Sequence, residues 1–139
     1  MKIQKAKGPE VITRLDREIF VEPFGDAEVE ADRGSWWVAV DEKAGPVGFA
    51  GIRQLTHEPE FAVLERAGIL PDFRGQGLHR RLIRARLRWA RAQGIENVIT
   101  YTTVDNAPSA NSLIGTGFRL YCPQWRWAGD AFVYWHLVL

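Results

Sequence analysis

An apolar stretch from Phe61 to Leu70 is closed by Pro71, and Arg74-Gly75-Gln76-Gly77 then opens a helical run that lasts to Gln93. Few folds accommodate this succession. The apolar stretch reads as a strand that carries Glu65 and Arg66 inside it. The two glycines let the backbone turn tightly with no Cβ in the way. In the run that follows, Leu78, Leu82, Ala85, Trp89 and Ala92 recur at helical spacing, and Gly94 stands where a C-terminal cap belongs. Arg80, Arg81, Arg84, Arg88 and Arg91 share the opposite sector. Arg86 falls between two apolar groups, so it needs a carboxylate partner or a route to solvent. Asn97 to Val104 reads as a further strand, which makes the whole segment a right-handed crossover between parallel strands.

The flanking sequence fills in the sheet. Lys2 to Lys7 reads as a first strand. Gly8-Pro9 opens a helix with Val11, Ile12, Leu15 and Ile19 on one face. Val21 to Gly34 reads as loop or short helix, broken by Pro23, Gly25 and Gly34. Ser35 to Val40 and Val47 to Leu55 read as a hairpin turning at Lys43-Ala44-Gly45-Pro46. Pro108 to Thr116 reads as a short helix, and Arg119 to Arg126 and Ala131 to Leu139 as the last two strands. The predicted order is strand, helix, three strands, helix, strand, helix, two strands. That is an α/β protein of the α+β kind: a mixed sheet with helices on its faces. At 139 residues, 1–139 suits a single domain.

Composition excludes several classes. With 46% hydrophobic residues, 25% charged and a net charge of +1, the chain is not a disordered one. No stretch approaches the roughly 20 apolar residues of a membrane span, and Met1 to Lys5 does not start a signal core. Cys122 is the sole cysteine, which excludes an internal disulfide and a thiolate metal cluster and fits a reducing, cytoplasmic setting. His57, His79 and His136 share no ligand spacing, so no metal is expected. The charges are segregated: Glu18, Glu22, Asp26, Glu28, Glu30 and Asp32 lie early, and the arginines lie in the long helix. Arginine suits bidentate phosphate contact. Nucleic acid is not the expected partner, because the overall charge gives no broad electrostatic footprint.

The turn itself can hold an anion. The N–H groups of the helix's first turn point into it, and the helix dipole adds to their pull on a phosphate or pyrophosphate. The pattern lacks the Lys-Ser/Thr of a nucleoside-triphosphate loop. It also does not follow the first strand of a dinucleotide fold, and no acidic ribose ligand is placed for one.

Ile69-Leu70-Pro71 followed by Asp72-Phe73-Arg74-Gly75-Gln76-Gly77-Leu78 resembles the acetyl-CoA motif of the GNAT N-acetyltransferase superfamily, written Arg/Gln-x-x-Gly-x-Gly/Ala. Asn106, eleven positions before Gly117-Phe118, is similar to that family's Asn…Gly-Phe element. The resemblance spans essentially the whole chain. It implies mostly antiparallel strands with one splayed parallel pair. It also implies acetyl-CoA as cosubstrate and acetyl transfer to a primary amine of a small molecule or peptide, with no metal and no covalent enzyme intermediate. Backbone groups of Ala67, Gly68 and Ile69 would pair with the pantetheine arm. Those from Gly75 through Gln76, Gly77, Leu78 and His79 to Arg80 would hold the pyrophosphate. Asn106 would bind near the pantetheine, with Ser109 beside it, and Arg74 fills the motif's first position. Two departures stand out. His79 occupies the usual Gly/Ala slot. Leu113 occupies the position, seven after the asparagine, where many relatives place a proton-donating tyrosine, which leaves Ser112, another residue or water to protonate the thiolate. These departures keep open a non-catalytic acyl-CoA-binding module of the same fold.

An attacking amine must first lose a proton. Glu65 is the leading base candidate: strict alternation places it on the face of Ala67 and Ile69, and half-burial would raise its pKa. A structural pair with Arg53 or Arg66 is the competing reading. Tyr101 is the second candidate, at a position where some relatives carry a glutamate base. Trp36, Trp37, Trp125, Trp127, Trp135 and Phe24 are candidates for an acceptor wall. The acidic segment would favour cationic amines through its field. The long apolar last strand suggests an exposed edge and so a homodimer.

Overall fold

The computed structural model describes residues 1–20 and 34–139. Strands are β1 (Lys2–Lys5), β2 (Ser35–Asp41), β3 (Gly45–Gln54), β4 (Phe61–Ile69), β5 (Asn97–Thr103), β6 (Arg119–Tyr121) and β7 (Phe132–Val138). Helices are α1 (Pro9–Ile19), α2 (Leu78–Ala92) and α3 (Ala107–Gly115), with a 3-10 turn at Pro71–Phe73. The strands form one sheet in the order β1-β2-β3-β4-β5-β7-β6. Every neighbouring pair is antiparallel except β4 and β5. The expected mixed sheet with one parallel pair is therefore the fold observed.

Each face of the sheet buries its own core. Ala62, Leu64 and Ile69 of β4 join Leu78, Leu82, Ile83 and Leu87 of α2 on one side. Ile12 and Leu15 of α1 meet Trp36, Val38 and Phe49 on the other. The buried sector of α2 is wider than its predicted stripe, taking in Ile83, Arg86, Leu87 and Ala90, while Ala92 is exposed. The reason is that α2 packs against α3 as well as the sheet.

Strict alternation fails in β4. Ala50 pairs with Ala67, but Ile52 pairs with Leu64, so Gly51 alone opposes both Glu65 and Arg66. This bulge sets two successive side chains on one face. Ala67 and Ile69 pack with the α2 core. Arg66 instead reaches Asp16 of α1, NH1 to Oδ1 at 2.8 Å, and Glu65 meets Arg53, the neighbour of core residue Ile52 and so on the opposite face. Glu65 does not share the face of Ala67 and Ile69. The bulge shifts the alternation by one residue, which pattern reading alone does not register.

Two further expectations change. The strand expected over Arg119 to Arg126 is only Arg119–Tyr121, because Pro123 removes a ladder donor just beyond it. The last strand is not an edge: β7 lies between β5 and β6 and is paired on both sides. The edge argument for a homodimer therefore falls. Val21 to Arg33, which hold Phe24 and most of the acidic segment, lie outside the described residues.

Asp16 is buried and its ion pair with Arg66 ties α1 to the bulge. Removing one partner of such a pair strands the other charge. Asp16→Asn is expected to lower unfolding free energy by about 3 kcal/mol, read from urea midpoints, whereas Arg17→Gln on the exposed side of α1 should shift them by less than about 0.5 kcal/mol.

Candidate active site

The bulge and the end of the β4–β5 ladder make one opening. The two strands pair only from Phe61–Val63 against Asn97–Ile99. Beyond that, a cleft of about 530 Å³ passes between them, lined by residues from both faces of the sheet. Ala67, His79, Ile83 and Arg86 line it together with Asn106, Ser109 and Leu113. Arg53, Glu65, Arg66, Tyr101, Trp127 and Phe132 line it as well.

Backbone direction supplies polar groups at the strand edge. Leu70 donates its N–H to the Val47 carbonyl of β3 at 2.8 Å. Alternation then aims the N–H and C=O of Ala67 and Ile69 at the splay, and those of Gly68 at β3. Gly68 contributes space rather than bonding there: a Cβ would meet Ile19 and Phe20 side chains at 3.0–3.2 Å. Arg74 closes the strand end, its Nε donating to the Ile69 carbonyl at 2.9 Å.

The glycine turn fits a phosphate. Gly75 and Gly77 hold φ of 79° and 77°, a left-handed conformation that other residues resist. Gly77 is the N-cap of α2 and brings no side chain to satisfy the first-turn N–H groups. Those orphan donors, at the positive end of a 15-residue helix, are what a pyrophosphate requires. Gln76 is exposed within the turn, and the Leu78 side chain is core. Arg80 turns toward α3, with NH2 at 3.4 Å from the Asn111 carbonyl and its guanidinium beside Gly115.

On α3, Asn106 is the N-cap: its Oδ1 accepts the Ser109 N–H at 3.2 Å, which leaves the Nδ2 donor. Ser112 is not among the cleft's lining residues, whereas Leu113 and Ser109 are. Helical geometry explains this, since Ser109 and Leu113 are four apart and share a face.

Charges dominate the far side of the cleft. Glu65 Oε1 accepts from Arg53 Nε at 2.7 Å. Arg86 is 1% exposed and finds carbonyls rather than a carboxylate, donating from NH1 to Gly51 at 3.0 Å and from Nε to Leu82 at 3.2 Å. Burial pulls its pKa down to about 9, and nearby Glu65 opposes that pull. Burial, then the Tyr101 setting beside Glu65, raises the Tyr101 phenol above its ordinary value. A phenol is protonated at neutral pH, so Tyr101 can donate a proton or hydrogen bond into the cleft.

Several lining residues carry weak sequence signals. Arg53 and Arg66 stand out only as possible partners of Glu65. Trp127 and Phe132 come from an irregular β6–β7 connection, where periodicity gives no guide. Of the aromatic candidates among the described residues, Trp36, Trp37 and Trp135 are buried in the cores and Trp125 is 76% exposed; Trp127 is the one at the cleft.

His79 sits at the cleft with its pKa lowered from 6.5 to about 4, first by burial and then by the Arg86 charge. A base with a depressed folded-state pKa contributes its full stability above pH 6.5 and loses it as pH falls from 6.5 toward 4. Between pH 7.5 and 5 that loss is expected to be roughly 2 kcal/mol at most. His79→Gln should flatten that part of the stability–pH curve, measured by urea unfolding at both values.

The comparisons agree with this geometry. Residues 7–118 match the model of the acetyltransferase (GNAT) family. N-acetyltransferase 8B of Rattus norvegicus is 31% identical over 111 residues, which is 74% of this chain and 50% of that protein; the chain thus spans about half the length of this curated relative. An IAA acetyltransferase from Bacillus cereus superposes with a TM-score of 0.81 at 14% identity, over 99% of both chains. A Bacillus subtilis acetyltransferase in complex with CoA superposes with a TM-score of 0.77 at 15% identity, over 99% of this chain and 98% of that one. At such identities the superpositions speak for the fold, and the family match speaks for descent. Glycine turn, splayed strands and matched residues describe one lineage: the chain belongs to the GNAT family of acetyltransferases.

Proposed function

We propose that this protein transfers the acetyl group of acetyl-CoA directly to a primary amine of a small molecule or peptide. The observation that carries the reading is the cleft through the sheet. It joins Ala67, His79 and Asn106 near the glycine turn to Glu65 and Tyr101 beyond the splay. That a related fold is known in complex with CoA supports the cosubstrate. The exposed thiol of Cys122 suits a reducing, cytoplasmic location.

In this reading the pyrophosphate rests on the N–H groups from Gly75 to Arg80. The edge groups of Ala67 and the N–H of Ile69, whose carbonyl is held by Arg74, pair with the pantetheine arm, and Asn106 Nδ2 donates to it. Glu65 takes the proton from the incoming ammonium, directly or through water, while Arg53 holds the carboxylate in place. The amine nitrogen then forms its bond to the thioester carbon and the carbon–sulfur bond breaks. Tyr101 is assigned as the donor that protonates the leaving thiolate and takes back the second proton of the acylated nitrogen, directly or through water; Ser112, away from the cleft, is not.

Two variants test the two ends. Gly77→Glu adds bulk and like charge at a left-handed position, and calorimetry should show acetyl-CoA binding lost while the protein stays folded. Glu65→Gln keeps size but cannot accept the proton. It should lower kcat by about 10²-fold with acetyl-CoA affinity nearly unchanged. A purely structural pair with Arg53 would instead lower Tm and leave turnover per folded molecule within about threefold, well under that range. Thioester turnover with an amine panel also separates an enzyme from a non-catalytic acyl-CoA-binding module.

A further inference from the structure

The far side of the cleft has two unlike walls. One is aromatic and held rigid. The Tyr134 hydroxyl donates to the Gly129 carbonyl at 2.8 Å and accepts the Ala128 N–H at 3.0 Å, which fastens the β6–β7 connection over the sheet. Trp127 is thereby set against Tyr101, ring centroids 5.4 Å apart, and Tyr101 against Phe132 at 4.9 Å. These three rings are only partly buried and line the cleft. Preformed aromatic area of this kind receives a planar or bulky apolar group at low entropic cost.

The other wall is cationic. Among the described residues, Arg53, Arg66 and Arg86 line the cleft together with one carboxylate, Glu65. Asp16 offsets Arg66 from behind, and Glu65 offsets Arg53. Among the described residues Arg86 hydrogen-bonds carbonyls, so guanidinium groups outnumber carboxylates on the described part of this wall. Arg53 is 39% exposed along its side chain, and the hydrogen bond it makes to a described residue uses Nε. Its two terminal nitrogens remain as a fork that matches a carboxylate.

We propose that the acceptor is an α-amino acid with an aromatic or bulky apolar side chain. Arg53 receives its carboxylate, Trp127 and Phe132 receive its side chain, and its amine lies between them at Glu65. The inference rests on the acetyl-transfer reading and names its substrate class. It differs from the expectation of cationic amines, whose source, the acidic segment, lies largely outside the described residues. Three contacts around one carbon also select one hand.

The test uses the whole chain with acetyl-CoA and a free-thiol readout. Acceptors are L-phenylalanine, D-phenylalanine, phenethylamine, L-alanine and spermidine. L-Phenylalanine should exceed each of the others in kcat/KM by about tenfold or more. Trp127→Ala should close the gap between L-phenylalanine and L-alanine. Arg53→Lys should close the gap between L-phenylalanine and phenethylamine. A structural role for either residue would lower all acceptors alike. Phenethylamine or spermidine matching L-phenylalanine would overturn the inference and leave acetyl transfer standing. Calorimetry of L-phenylalanine with the CoA-saturated protein separates the opposite case. Trp127-dependent binding without turnover of any amine would uphold the site and reject acetyl transfer. Neither binding nor turnover of L-phenylalanine would overturn the inference.

Discussion

One extra residue in β4 governs this molecule. Because Glu65 and Arg66 together oppose Gly51, the strand bends and its side-chain alternation shifts by one. Below the bulge β4 ladders with β5; above it the two strands part. The same distortion turns a glutamate and an arginine to the α1 face and leaves the edge polar groups of Ala67 and Ile69 aimed into the gap.

The bulge is held from three sides. Asp16 grips Arg66 from α1, Arg53 grips Glu65 from β3, and Arg86 grips the Gly51 carbonyl from α2. Each contact is charge-assisted and at least partly shielded from water, where such bonds are stronger than at the surface. Gly51 is itself constrained, since a Cβ there would lie 2.6 Å from the Trp36 ring. Thus a helix on each face converges on one irregular point, and the opening of the sheet is a property of the core rather than of a mobile loop.

The two ends of the cleft use different physics. At the glycine turn the useful groups are backbone N–H donors and a helix dipole, so side-chain identity matters little and even His79 is tolerated there. Beyond the splay the useful groups are side chains whose protonation depends on neighbours. Burial lowers the His79 pKa and raises that of Tyr101, while Glu65 and Arg53 form a charge pair. The glycine-turn end therefore depends on backbone geometry, and the far end on the identity of this chain's side chains.

That division also sets what could be read from residues alone. Strand, glycine turn, amphipathic helix and strand are local patterns with fixed periods, and they determined the crossover, the mixed sheet and the left-handed glycine turn before α2. Asn106 as a helix cap is local in the same way. The position of Glu65 is not local: it depends on a register shift between β3 and β4 that period-two counting cannot contain. Nor could β7 be recognised as an inner strand, because its partners β5 and β6 are set by packing of the whole sheet. Trp127 reaches the cleft because a tyrosine hydroxyl seven residues on holds its loop. The sequence by itself determined most of the elements and the glycine turn, since short-range sterics and hydrogen bonding decide those. Only the tertiary structure decided which side chains share the opening, because that depends on contacts between residues distant along the chain.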